Sequence, residues 1–149
     1  MRIIKVEAIP VWYESTDECH ALFNSDKKKG SMVHAREGWF ANIQYKENVF
    51  VKIHTDEGII GWGEAYAHPV ASETQAGILS TVELFGRTIM GKDPFQIGAI
   101  RTALDRLFLQ DNAGARSAID IALYDIMGMA SSQLICNLLG GAYQKTEEN

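Results

Sequence analysis

A chain of 149 residues, 46% hydrophobic and 22% charged, fits one soluble domain that can bury a core without disulfide or metal staples. Its formal charge of −5 argues against nucleic acid as a partner held through a general phosphate-attracting field. The one dense basic run, Lys27, Lys28 and Lys29 beside Asp26 and Gly30, reads as a solvated loop tip. The stretch IIKVEAIPVW (3–12) alternates as a strand does, with Pro10 placing it at an edge or an end. NVFVKIHT (48–55) sets Val49, Val51 and Ile53 against Phe50, Lys52 and His54. The turn DEG follows, and IIGWGEA (59–65) returns as the partner strand, Gly58 supplying the positive φ of the turn.

Between the first strand and this hairpin, ANIQY (41–45) can add strand, but residues 13–40 have no sustained period. A stretch that long is a lid, a binding loop or disorder. Leu22, Phe23, Trp39 and Phe40 favour a loop that packs on something.

The second half is helical. Ser72 and Gln75 fit a capping box before a stripe of Ile78, Leu79, Val82, Phe85 and Ile89, and Gly91 ends that helix. Asp93 is expected to cap a second helix with Pro94 at its first position and Ile97, Ile100, Leu104, Leu107 and Phe108 as its stripe. A third helix is expected over 113–129 and a short fourth over 134–139, stopped by Gly140 and Gly141. Strands first and helices second give an α+β domain, a three-stranded antiparallel sheet followed by a three- to four-helix layer.

The cysteines, Cys19 and Cys136, lie far apart without metal-like spacing. They read as free thiols in a reducing compartment, with Cys136 buried in a helix. MRIIKVEAIPVW lacks the apolar core and cleavage site of a signal peptide. No apolar run approaches the roughly 18 residues that would span a membrane, so a cytoplasmic protein without a membrane partner is expected.

GIIGWGEAY (58–66) invites a nucleotide-binding reading that fails in detail. Tyr66 stands where the third glycine belongs, and the first glycines sit in a hairpin. Glycines there let a strand bend or another backbone come close. His20, His34, His54 and His68 have no metal-ligand spacing. Asp120 and Asp125, inside SAIDIALYDIMG (117–128), are the remaining candidates for a catalytic or metal pair. Five helical positions turn about 500°, leaving them roughly 140° apart, so they do not converge on one ion. Ile119, Ala122, Leu123 and Ile126 share a face, with Ala118 and Ile121 beside it, as in a helix buried on more than one side. Aspartates there need partners, and Arg116 is within i,i+4 reach of Asp120.

At these residues the chain resembles a family. TDEGIIGWGEAYAHP, three helices, and then ARSAIDIALYDIMGMASSQLICNLLGG resemble the amino-terminal capping domain of the enolase superfamily, in its mandelate racemase and muconate lactonizing enzyme branch. Ala115, Arg116, Ala118, Ile119, Asp120, Ala122, Leu123, Asp125 and Gly128 match that family's helix pattern, and residues 138–141 its closing L-L-G-G. Asn112 leans toward the muconate lactonizing subgroup, which includes dipeptide epimerases and cycloisomerases. Leu134 departs from a frequent proline and Tyr124 from a frequent tryptophan.

The resemblance implies a capping domain over 1–141, with 142–149 as a polar tail or the start of a linker. In the family, a (β/α)-barrel follows and carries the acidic Mg²⁺ ligands and the lysine or histidine bases that remove a proton α to a carboxylate. Racemases, epimerases, cycloisomerases and acid-sugar dehydratases share that step. This chain holds no such barrel; Lys27 and Lys29 have K-x-K spacing only in the loop. No catalytic or metal-binding residue is therefore expected in it, and Mg²⁺ would be bound by the barrel of the complete enzyme. The implied partners are a small carboxylate substrate, the barrel domain and further copies in a homo-oligomer. Loops corresponding to 13–40 and 66–72 would close over the barrel mouth and set specificity. That makes Tyr66 and His68, then His20, Phe23 and Trp39, candidates for substrate contact, against simple packing between loop and barrel. The other class of reading is a free-standing binding or dimerisation module that kept the fold without the chemistry.

Overall fold

The computed structural model describes residues 1–14, 45–67, 73–107 and 112–141. Three strands, β1 (Ile3–Glu14), β2 (Tyr45–Thr55) and β3 (Ile60–Tyr66), form an antiparallel sheet in the order β1-β2-β3. Four helices follow: α1 (Gln75–Ile89), α2 (Ile97–Asp105), α3 (Ala113–Ser131) and α4 (Ile135–Leu138). The α+β order expected from the sequence is the order observed.

Alternation decides which side of the sheet is covered. Val49, Val51 and Ile53 of β2 and Ala65 of β3 are buried against the helices, together with Ile3 of β1. The opposite side carries a grid of cross-strand rows, Glu7–Lys52–Trp62, Ile9–Phe50–Glu64 and Val11–Asn48–Tyr66. On that side His54 Nε2 lies 2.5 Å from Glu7 Oε1, and Lys5 Nζ lies 2.8 Å from Glu7 Oε2. Phe50 meets Trp62 edge to face, and the Lys52 ammonium sits over the Trp62 ring.

The helices cover the inner face with Ile78, Val82, Phe85 and Ile89 of α1 and Ala118, Ile119, Ala122, Leu123 and Ile126 of α3, while α2 packs on α1 and adds Ile97, Ile100 and Leu104 to the same core. α3 runs along β3 at very short range. A Cβ on Gly61 would come within 2.1 Å of the Ala122 carbonyl oxygen, and one on Gly63 within 1.9 Å of that of Ala118. The GWG glycines thus serve close backbone approach, not phosphate binding.

Several local expectations are corrected. α1 is capped by Thr74, whose hydroxyl accepts the Gly77 N–H at 3.1 Å, and Gln75 is its first residue; Ser72 lies outside the described residues. Asp93 holds a turn and does not cap α2. Its carboxylate accepts the Phe95 N–H and its carbonyl the Gln96 N–H, so α2 starts only at Ile97. Cys136 is exposed because α4 is a single turn that sends Ile135 inward against Gly128. Ile121 is 47% exposed: α3 is covered by β3 and α1, and its third flank is open.

Asp120 does not pair with Arg116. Arg116 lies across the Phe85 ring and reaches Asp105 Oδ1 at 2.6 Å, while Arg101 of α2 takes Asp120. No helix among the described residues is long and apolar enough to cross a membrane.

Candidate functional site

The end of β1, the start of β2 and the end of β3 meet at one end of the sheet, so the segments 15–44 and 68–72 both leave from it. Tyr66, the last residue of β3, stands there on the outer face, 41% exposed. Its cross-strand neighbour Asn48 is 5% exposed. The Asn48 amide nitrogen donates to Glu64 Oε1, and the buried Asn48 Oδ1 has no hydrogen-bond partner among the described residues. Beyond β3 the ladder gains one more bond, from the Ala67 N–H to the Glu47 carbonyl at 2.9 Å.

The start of α1 fastens this end. Gln75 Nε2 donates to the carbonyls of Val11 (3.0 Å) and Asn48 (2.9 Å). Two residues earlier, both Glu73 carboxylate oxygens accept the Gly114 N–H at 3.0 Å, placing a negative charge at the positive end of α3.

Of the residues the sequence points to, Tyr66 is at this end. His20, Phe23, Trp39 and His68 lie outside the described residues. Sequence reasoning missed Asn48, Gln75 and Glu73. A polar residue opening the run NVFV was the available signal for Asn48. Gln75 was noticed, but as half of a capping box.

Asp120 and Asp125 face different ways and have different work. Arg101 grips Asp120 with Nε at 3.1 Å and Nη2 at 2.7 Å from Oδ2, and the carboxylate beside it raises the guanidinium pKa. Asp125 Oδ2 accepts the Trp62 N–H at 2.9 Å, a donor on the border of β3 that no strand among the described residues satisfies. No three Asp, Glu, His or Cys side chains converge among the described residues. The described residues do not fit a Mg²⁺ site. The site can present a phenol and fixed strand ends; its described groups include no poised acid–base pair.

Residues 33–140 match the family described as "Mandelate racemase / muconate lactonizing enzyme, N-terminal domain". The chain belongs to that family. Over 100 residues it is 41% identical to the hydrophobic dipeptide epimerase of Enterococcus faecalis, covering 66% of this chain and 28% of that protein. Over 97 residues it is 41% identical to the D-galactonate dehydratase of Variovorax paradoxus, covering 62% of this chain and 24% of that protein. The crystal structure of the Enterococcus faecalis dipeptide epimerase complexed with Mg and the dipeptide L-Leu-L-Tyr superposes with a TM-score of 0.72 at 28% identity. That match covers 95% of this chain and 35% of the other.

As a mandelate racemase/muconate lactonizing enzyme N-terminal domain, the chain spans about a quarter to a third of these relatives. The catalytic barrel of the superfamily is absent from its 149 residues. The helix SAIDIALYDIMG is accordingly a fixture of the domain. Its alanines accept the strand and its aspartates hold the strand edge and α2.

Proposed function

We propose that this chain is the substrate-capping domain, over residues 1–141, of an enzyme that removes a proton α to a carboxylate. The match of residues 33–140 to the N-terminal domain family carries this reading. Mg²⁺, bound by the barrel, would stabilise the enediolate formed on proton removal. This chain would supply the cap that excludes water and meets the distal part of the substrate, with Tyr66 and His68 the leading contacts and His20, Phe23 and Trp39 the others. By itself it would be catalytically silent.

Two surfaces support the reading. Around the end of α3 and α4, Met129, Leu134, Leu138 and Leu139 are exposed, Leu134 by 70%. An apolar strip of this kind is expected where another domain seats. At the β3 border, Phe50 and Trp62 of the outer sheet face and Ile121 of α3 line an open apolar depression, which suits association into a homo-oligomer.

The decisive experiment is to sequence the source DNA past the codon for Asn149. Continuation into eight strand–helix units, with acidic residues and lysines at the strand ends, is the expected result. A stop codon there would favour a free-standing binding or dimerisation module. Mg²⁺-dependent exchange of α-protons by the 149-residue chain alone, followed by NMR in deuterated water on dipeptide and acid-sugar substrates, would defeat the claim of a silent cap.

A further inference from the structure

The end of the sheet that carries Tyr66 is held by one side chain in particular. Val11 and Asn48 face each other across β1 and β2, and Gln75 Nε2 donates to the carbonyls of both. Asn48 in turn pairs with Tyr66 in the register of β2 and β3. Its side-chain amide donates to Glu64, two residues before Tyr66 on the same face. Glu73 ties the same junction to the start of α3. A glutamine in an exposed first turn ordinarily keeps its rotamer freedom and is hydrated. Fixing it on two backbone acceptors costs side-chain entropy, which the two hydrogen bonds must offset.

We propose that Gln75 is a positioning residue: it sets the Val11–Asn48–Tyr66 row and thereby the place of the Tyr66 phenol. It touches no reacting atom. Its meaning for substrate selection rests on the capping function proposed above, whereas the clamp itself does not. Any substrate group meeting Tyr66 would meet it at a position chosen by the first residue of α1. Displacement of the strand ends would therefore appear as altered substrate fit before it appeared as altered chemistry.

The test compares Gln75→Met, which keeps length and loses both donors, with Gln75→Glu, which sets a carboxylate against two carbonyl oxygens. In the 149-residue chain, Gln75→Met is expected to speed amide exchange at Ala67 roughly tenfold. It should also shift the Tyr66 ring resonances while leaving the α3 amides of Ile119, Leu123 and Ile126 within about twofold. Gln75→Glu should shift Tyr66 further at neutral pH. Those resonances should return toward their original positions as pH falls through the carboxylate range, because the protonated carboxyl can donate one of the two lost bonds. Unmoved Tyr66 resonances, equal acceleration throughout α3, or no recovery in acid would each overturn the proposal. None of these readings needs substrate or barrel, so a stop codon after Asn149 would remove the capping function and leave the clamp standing.

Discussion

Gly63 of β3 lies so close to Ala118 of α3 that a Cβ on the glycine would stand 1.9 Å from the alanine carbonyl oxygen. The obstacle is helix backbone, which cannot turn aside as a flexible side chain could. Gly63→Ala should therefore force α3 off the sheet and cost about 3 kcal/mol or more, at or above the upper end of ordinary overpacking. Gly61→Ala should behave similarly. Gly98→Ala, on an exposed face of α2 with nothing within 4 Å of its Cβ, should be neutral or mildly stabilising. Urea unfolding of the three variants checks this; equal stability of Gly63→Ala and the unaltered chain would refute the close packing.

Asp125 is expected to matter for one donor. Asp125→Ala leaves the Trp62 N–H without its acceptor and should cost about 1–2 kcal/mol, spanning the top of the ordinary range and the bottom of the range for charged acceptors. Asp125→Asn keeps a carbonyl at the same place and should cost less. Hydrogen exchange at Trp62 is the local readout. It should speed up in Asp125→Ala, and protection persisting there would contradict the assignment.

The pair of Arg101 and Asp120 is partly exposed, so its two-pronged geometry argues for a modest contribution. A double-mutant cycle with Arg101→Ala and Asp120→Ala should return a coupling of about 0.5–1 kcal/mol. Arg101→Lys, which keeps charge and loses the fork, should lose most of it. The parallel cycle between Arg116 and Asp120 should return a coupling near zero, since Arg116 is committed to Asp105 and Phe85.

Glu7 provides the acid-side test. Lys5 first, and His54 after it, lower its pKa below the ordinary value of 4.5. A carboxylate whose folded pKa is depressed binds fewer protons folded than unfolded. Its contribution is present above the ordinary value and is lost as pH falls through the depressed one. Glu7→Gln should therefore flatten the fall in melting temperature between about pH 5 and pH 3. A variant whose acid limb matches that of the unaltered chain would remove Glu7 from the account.

The sheet, the helix order and the family were readable because they rest on local signals. Alternation placed Val49, Val51 and Ile53, a glycine placed the turn, and the alanine-spaced helix carried the resemblance. The GWG glycines were read as letting a strand bend or another backbone come close; the structure selects the second, with the carbonyls of Ala118 and Ala122 as the contacting groups. Pairing between helices was not readable. Sequence spacing offered Arg116 to Asp120, but α2 and α3 both pack on α1, which brings Arg101 to Asp120 and lays Arg116 over Phe85 of α1. The start of α2 was missed because Asp93 and Pro94 suit a turn as well as a helix cap. Gln75 was misassigned for a related reason. Its acceptors are the carbonyls of Val11 and Asn48, 64 and 27 residues away, and nothing in a window of sequence announces them.

Among the described residues the three-stranded sheet has two unpaired borders, and each is an invitation to a foreign strand. On β1 the border is interrupted by Pro10, which has no N–H to offer. On β3 the donor of Trp62 is already taken by Asp125, a carboxylate that would also repel an incoming carbonyl. The aspartate that resembled half of a metal site thus occupies a donor on the border of β3 and discourages edge-to-edge aggregation there.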